Sequence, residues 1–358
     1  VLGLGLIGGS IALAARERAS AHVTGYDSDP VARARALELG AIDAQAPDVE
    51  AAVSGAQVVF VATPVGALAD VITRALAAAG PDCVVSDVGS TKRLIATIAT
   101  DERLIGGHPL AGAETAGVEN ARADLFDGAT WYLTPARDST AGVLYERLHR
   151  LLGSLGARPA AIDADTHDRL MACVSHLPHV LANMLVAQAA EVLGQEGAER
   201  LGVVGPSFRD ATRVAGANGA IWTDIYMANS DALIAAIDAL EARLGELRGW
   251  LAAHDEAAVS GWNERARRER DLLLGAGLLS GQDGQSVGEL RVPVPNRPGV
   301  IADIALALGR AGVNIADMAL SPSPDNSRGV LALWIGGGEQ RERAAELISA
   351  LGFPVNSA

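Results

Sequence analysis

Two cysteines, Cys83 and Cys173, are all that the 358 residues contain. That number allows no disulfide framework and no spaced metal set, so no metal site is expected and a reducing, cytoplasmic compartment is. Both read as small core residues. Basic charge is also short: 29 Lys and Arg stand against 43 Asp and Glu, a formal net charge of −14. That balance excludes a general nucleic-acid binder. An anionic substrate would need its positive charge concentrated at a site. No uncharged apolar run approaches the roughly eighteen residues that span a membrane, and no signal peptide is visible. The chain opens inside an expected strand at Val1-Leu2, so a few residues are expected upstream. Its length suffices for two or three domains with real cores.

Glycine is plentiful, and its placement carries information. Gly3, Gly5 and Gly8 are spaced G-x-G-x-x-G between a strand end and a helix that continues through Arg16. The first glycine makes a turn, the second lets backbone approach a pyrophosphate, and the third lets helix pack on strand. The helix start, at Leu6 and Ile7, stabilises the phosphate charge. Asp27 ends the next strand about twenty residues on, where a carboxylate binds ribose hydroxyls. Asp29 is a second acid, and no arginine is expected beside it to hold an extra phosphate. NAD is therefore expected rather than NADP. A turn aspartate in a fold without nucleotide is the structural alternative.

Further strands are expected at Val58–Ala62, Cys83–Asp87, Leu104–Gly107, Trp131–Thr134 and Arg158–Ile162. Ligands bind outside the carboxyl ends of such strands, which puts Thr63, Pro64, Ser90 and Lys92 on a functional rim. Ser90 also reads as a helix cap. His108 comes directly off a strand end within Gly106-Gly107-His108-Pro109-Leu110-Ala111-Gly112. Histidine exchanges a proton near neutral pH; an idle loop histidine is the alternative.

From Asp165 the pattern turns helical. Ser175-His176-Leu177-Pro178-His179 lies inside a helix that Pro178 should kink. His176 and His179 share a face, without a zinc pattern such as H-E-x-x-H. Ser207 reads as a helix cap, and Asp210 and Arg213 lie three apart, as an ordinary ion pair would. Leu233, Ile237, Leu240, Leu244, Leu247 and Leu251 form an apolar stripe, read as a subunit interface in preference to internal core. Leu272 to Gln285 reads as a linker. The remainder follows the order βαββαβ, a ferredoxin-like unit, with Phe353-Pro354-Val355 as its last short strand.

With these residues placed, the chain resembles the prephenate dehydrogenase family with a C-terminal ACT domain. The markers are the glycine-rich opening, Asp87-Val88-Gly89-Ser90-Thr91-Lys92, His108 to Gly112 with Glu114, the Ser175–His179 motif and Phe208-Arg209-Asp210-Ala211-Thr212-Arg213. Asn296-Arg297-Pro298-Gly299 and Gly312-Val313-Asn314-Ile315 resemble an ACT domain. The resemblance implies an α/β Rossmann-like NAD-binding domain over 1–163, an all-α substrate and dimerisation domain over 164–280, and an ACT regulatory domain over 287–358. It implies NAD-dependent oxidative decarboxylation of prephenate in tyrosine biosynthesis, by a homodimer. His108 would act as general base, Ser90 would hold the same hydroxyl and orient His108, and Arg213 would bind a carboxylate. His179, Glu114, His176 and Asp210 would place substrate or order the site; His167 matches without a role. Asn296, Pro298, Gly299 and Asn314 would hold an amino-acid effector, tyrosine first. Val294 stands where some effector-binding relatives have histidine. Arogenate as substrate and a non-catalytic amino-acid sensor remain as alternatives.

Overall fold

The computed structural model describes residues 1–98, 101–112, 115–135, 142–196, 204–278, 287–297, 299–323 and 327–357. The chain divides into two compact units, Val1–Leu244 and Gly245–Ala358.

In the first unit the strands are β1 (Thr24–Gly25), β2 (Ala44–Gln45), β3 (Val58–Val61), β4 (Val84–Asp87), β5 (Gly106–Pro109), β6 (Thr130–Thr134) and β7 (Arg158–Ala161). Leu2 bridges Tyr26 and Val61, and Val85 bridges Leu104, which joins these ladders. β1–β2, β3–β4 and β6–β7 pair in parallel, while β5 runs antiparallel to β6. Successive side chains of a strand face opposite ways. Phe60 and Val84 accordingly pack with Ile11, Trp131 and Leu148, while Val59, Val61 and Val85 pack with Leu68 and Ile72. Helices cover both faces, which is why these strands read as unbroken apolar runs. His108 lies within β5, opposite Tyr132, rather than beyond a strand end. The sequence pattern puts this strand two residues early because the glycines Gly106 and Gly107 mask its continuation.

The helical part of this unit begins at Ala164. Helix Ala164–Met171 passes through one π turn, Ala172–His176, into helix Leu177–Glu196. Proline cannot donate to the preceding turn; here the wide turn directly precedes Pro178, so the element stays continuous instead of breaking. Leu170 to Ala190 contains no charged residue, and Ala164–Gly194 is long and apolar enough to cross a membrane by length and composition. That corrects the expectation that no such run exists; scattered His, Asn and Gln hide it. Met171, Ala172, His176, His179 and Ala182 are buried, while Val174, Met184 and Leu185 are exposed. Cys173, in the π turn, is exposed, contrary to the core position expected; Cys83 is buried. Helix Pro206–Thr212 has Gly205 as its N-cap, so Ser207 does not cap it. Helix Gly219–Ala228 is capped by Asn218, and Ile225 packs into the core beside Leu68 and Ile72.

In the second unit, helix Glu256–Leu278 continues through the first part of the expected linker. Strands β8 (Val287–Pro295), β9 (Ile315–Pro322), β10 (Arg328–Gly336) and β11 (Asn356–Ser357) form one antiparallel sheet, order β11-β8-β10-β9. Helices Val300–Arg310 and Gly338–Ala350 complete the βαββαβ unit. The last strand lies after Phe353, which is drawn into the core instead.

Candidate active site

Three glycines of the first loop use the missing Cβ differently. Gly3 sits at φ +93°, and a Cβ there would meet the Ala62 carbonyl oxygen at 2.5 Å. A Cβ on Gly8 would meet the Gly3 carbonyl oxygen at 1.8 Å, so the helix rests directly on the turn. On Gly5 it would meet nothing within 4 Å, which leaves that face open. Gly5 is the N-cap of helix Leu6–Ala19, no side chain caps it, and the first turn holds no acid. The free N–H groups of Leu6 and Ile7 thus remain for an anion.

Asp27 accepts from the Leu4 N–H at 2.7 Å and from the Asp29 N–H at 2.9 Å. A carboxylate has about four acceptor positions, so it retains capacity for a diol. Asp29 instead caps helix Pro30–Glu38 through the Val31 N–H. Arg33, one turn into that helix, donates to the Asp27 carbonyl and lies 5.6 Å from the centre of the Tyr26 ring. An arginine therefore does stand beside the acid, brought there by helix periodicity rather than sequence adjacency. Beyond β3, Thr63 Oγ1 is buried without a hydrogen-bond partner among the described residues, and Pro64 opens helix Val65–Ala78. The open glycine, the uncapped helix and the Asp27 carboxylate fit a dinucleotide.

His108 is half-buried at the wall of a cavity of about 480 Å³. Pro109, Gly112, Met171, Ser175, Val214 and Trp222 line the same cavity. Its Nδ1 lies 2.9 Å from Nε2 of His167, whose Nδ1 lies 2.7 Å from Oδ1 of Asp168. His167 and Asp168 are fully buried. Asp168 also accepts from the backbone N–H of Lys92 at 2.7 Å and of Arg93 at 2.9 Å, at the start of helix Arg93–Ile98. Burial alone would raise the Asp168 pKa, but the His167 ring and those N–H groups hold it below the ordinary value. Burial pushes His108 well below its usual value, reinforced by the neighbouring Lys92 ammonium and by the nearness of the His167 and His176 rings. The His108 ring is therefore neutral at physiological pH.

The partner of His108 is thus His167, not Ser90. Ser90 sits half-buried on the loop after β4. Lys92, the chain's single lysine, is fully buried rather than on the rim. Its ammonium meets Asp87, whose carboxylate also receives the N–H groups of Gly89 at 2.8 Å and Gly107 at 3.1 Å. A buried ion pair persists when its remaining acceptors are satisfied in this way. Asp87 thereby ties the Ser90 loop to β5.

His179 stacks on Trp222, ring centroids 3.7 Å apart and planes within 3°. Its Nδ1 bonds the Tyr226 hydroxyl and lies 3.3 Å from the Asn183 amide nitrogen. Burial lowers its pKa, opposed by the Val214 carbonyl. His176 accepts from Asn229 at 3.2 Å, and burial pushes its pKa down to about 4. Asn229 also donates to the Asp168 carbonyl at 2.8 Å and accepts from Arg93 at 2.7 Å. Sequence reasoning missed His167 as a partner, and it missed Asp168, Asn229, Trp222 and Tyr226 entirely. The Thr166-His167-Asp168 juxtaposition was the one available signal.

Arg213 is exposed and starts the short turn Arg213–Gly216, whose Val214 lines the cavity. Asp210 is exposed one turn earlier. Glu114 and Pro298 lie outside the described residues. Asn296 follows β8 and Asn314 precedes β9, both exposed, and Gly299 adopts φ +89°. Pro295 pairs with Arg328, whereas Ile315 pairs with Ile335. The two asparagines therefore stand at opposite ends of β10, about 30 Å apart along the strand at 3.3 Å per residue. Val294 points into the core.

A dinucleotide cradle beside a cavity holding a neutral histidine defines an NAD-dependent oxidoreductase. Comparison with known proteins narrows this. Residues 11–160 match the prephenate dehydrogenase nucleotide-binding domain, 163–262 the prephenate dehydrogenase dimerization domain, and 288–353 the ACT domain. The chain is 31% identical to the prephenate dehydrogenase of Bacillus subtilis, over 97% of this chain and 94% of that one. Among solved structures, Aquifex aeolicus prephenate dehydrogenase in complex with hydroxyphenyl propionate and NAD+ aligns with TM-score 0.69 and 26% identity, covering 76% of this chain and 96% of that one. Synechocystis arogenate dehydrogenase aligns with TM-score 0.67 and 26% identity, covering 76% and 98%. The chain belongs to the prephenate dehydrogenase family.

Proposed function

We propose that this protein converts prephenate and NAD to 4-hydroxyphenylpyruvate, carbon dioxide and NADH. The observation that carries the reading is His108, neutral and facing the cavity with its Nδ1 already engaged. NAD, when bound, accepts the hydride. His108 Nε2 accepts a hydrogen bond from the hydroxyl on the carbon that loses it, so oxygen electron density flows toward that carbon. Breaking the bond to the ring carboxylate releases carbon dioxide, and its electron pair aromatises the ring. The hydroxyl proton stays on, or returns to, the phenol oxygen, so no net proton is consumed. Ser90 is assigned to the same hydroxyl. Arg213 is assigned to one substrate carboxylate in a two-pronged contact. His179, rigid on Trp222, is assigned to substrate placement, with His176, Asp210 and Glu114 ordering the site.

The domain limits 1–163, 164–280 and 287–358 belong to the same reading, as do a homodimer and a cytoplasmic location, the last supported by two unpaired cysteines. We assign the ACT module to an amino-acid effector, tyrosine first. An effector touching both Asn296 and Asn314 would have to sit between modules of two chains. Likeness to an arogenate dehydrogenase keeps arogenate as the second substrate to test. Mixing the protein with NAD and either acid, and following absorbance at 340 nm, decides: a rise with prephenate is expected. No rise with either acid would leave the amino-acid sensor as the better reading.

A further inference from the structure

We propose that His167 and Asp168 are positioning residues that lock His108 in its Nδ1–H form, leaving a bare Nε2 lone pair toward the cavity. This rests on the assignment of His108 as base and adds what makes it one. A neutral imidazole has one donor and one acceptor nitrogen, and the partner of one fixes the role of the other. Asp168 is ionised, held there by His167 and two backbone N–H groups, and can only accept. The proton of a neutral His167 therefore sits on Nδ1, and its Nε2 must accept. Nδ1 of His108, 2.9 Å away, must then donate. His108 Nε2 is left unprotonated, and it makes no hydrogen bond to any described residue. A carboxylate two rings away thus decides that the catalytic ring faces substrate as acceptor rather than donor.

The same chain accommodates charge during turnover. When a proton moves from the substrate hydroxyl toward His108 Nε2, the Nδ1 proton can shift to His167 Nε2. His108 is then neutral again, and the positive charge rests on His167 against the Asp168 carboxylate. Reversal returns both protons as the phenol forms, so nothing is left over. The groups bearing on this equilibrium are Asp87 at the end of β4 and Lys92 from the loop after it, Tyr132 from β6, and Asp168 and His176 from the helical run.

The full chain, labelled with ¹⁵N-histidine, tests this without any substrate. Long-range proton–nitrogen correlation at pH 7.5, with His108 assigned by its disappearance in His108→Asn, should show a protonated Nδ1 and a bare Nε2. A protonated Nε2 on His108 overturns the proposal. Kinetics supply the second readout. His167→Phe keeps a ring but removes both nitrogens, and should lower kcat roughly 10- to 100-fold with KM for prephenate nearly unchanged. His167→Gln can accept from His108 and should recover part of the loss. Wild-type kcat in His167→Phe would overturn the proposal. If the wild-type protein turns over neither prephenate nor arogenate, the functional reading fails, and the nitrogen shifts alone decide the tautomer.

Discussion

His176 shows how burial writes a pH dependence into a single residue. Its ring is buried and its pKa falls from 6.5 to about 4, while in the unfolded chain it would titrate normally. Below pH 6.5 the unfolded state binds the extra proton, so stability present at neutral pH is lost as the solution is acidified toward pH 4. The fall from 6.5 to about 4 limits that loss to at most about 3.4 kcal/mol. Urea unfolding of wild type and His176→Phe at pH 7 and pH 5 should show a smaller acid-induced loss in the variant; equal losses would remove His176 as the cause. Arg213 makes a different prediction. It is exposed beside the cavity, so Arg213→Ala should fold normally while raising KM for prephenate at least about tenfold, about 1.4 kcal/mol. An unchanged KM would send the carboxylate elsewhere. At this scale the sequence named His108, His176, His179 and Arg213 through motif resemblance. It could not pair His108 with His167, because 59 positions separate them and only the fold brings β5 against helix Ala164–Met171.

The glycine loop is legible in the bare sequence because its three positions obey three separate steric demands. That gives a paired test on one element. Gly5→Ala adds a methyl group where nothing lies within 4 Å, so melting should barely move while NAD affinity drops. Gly8→Ala drives a methyl group onto the Gly3 carbonyl and should destabilise by roughly 1–3 kcal/mol or more. Calorimetric titration with NAD alongside thermal melts would separate the two, and identical behaviour would refute the division of labour. Other elements are less legible. β5 reads early in the sequence because two glycines and a proline weaken its strand signature. The π turn has no sequence signal beyond Pro178, although such turns gather at functional sites. Helix Glu256–Leu278 outruns the expected linker because its final leucines continue a helical pattern that glycines only weaken.

Across the whole molecule, apolar surface points to a partner. Met184, Leu185, Met227, Ile234 and Leu244 are all exposed on helices within the segment matched by the dimerization-domain model. Along the predicted stripe, Leu233 is buried but Leu251 is 57% exposed, so one chain covers only part of it. Light scattering at micromolar concentration should report about twice the 36.7 kDa chain mass, and a single-chain mass would count against the homodimer. Three-part organisation is readable because each part has its own periodicity, whereas the proposed dimer would leave no mark in sequence beyond unspent leucines. Lys92 carries a last consequence. The side chain most reagents reach first is here sealed inside the nucleotide-binding core, and no second copy exists anywhere else in the sequence. Acylation of its amine, followed by peptide mass spectrometry, becomes a clock for the opening of that core: silent while the sheet is closed, and ticking at the rate at which it comes apart.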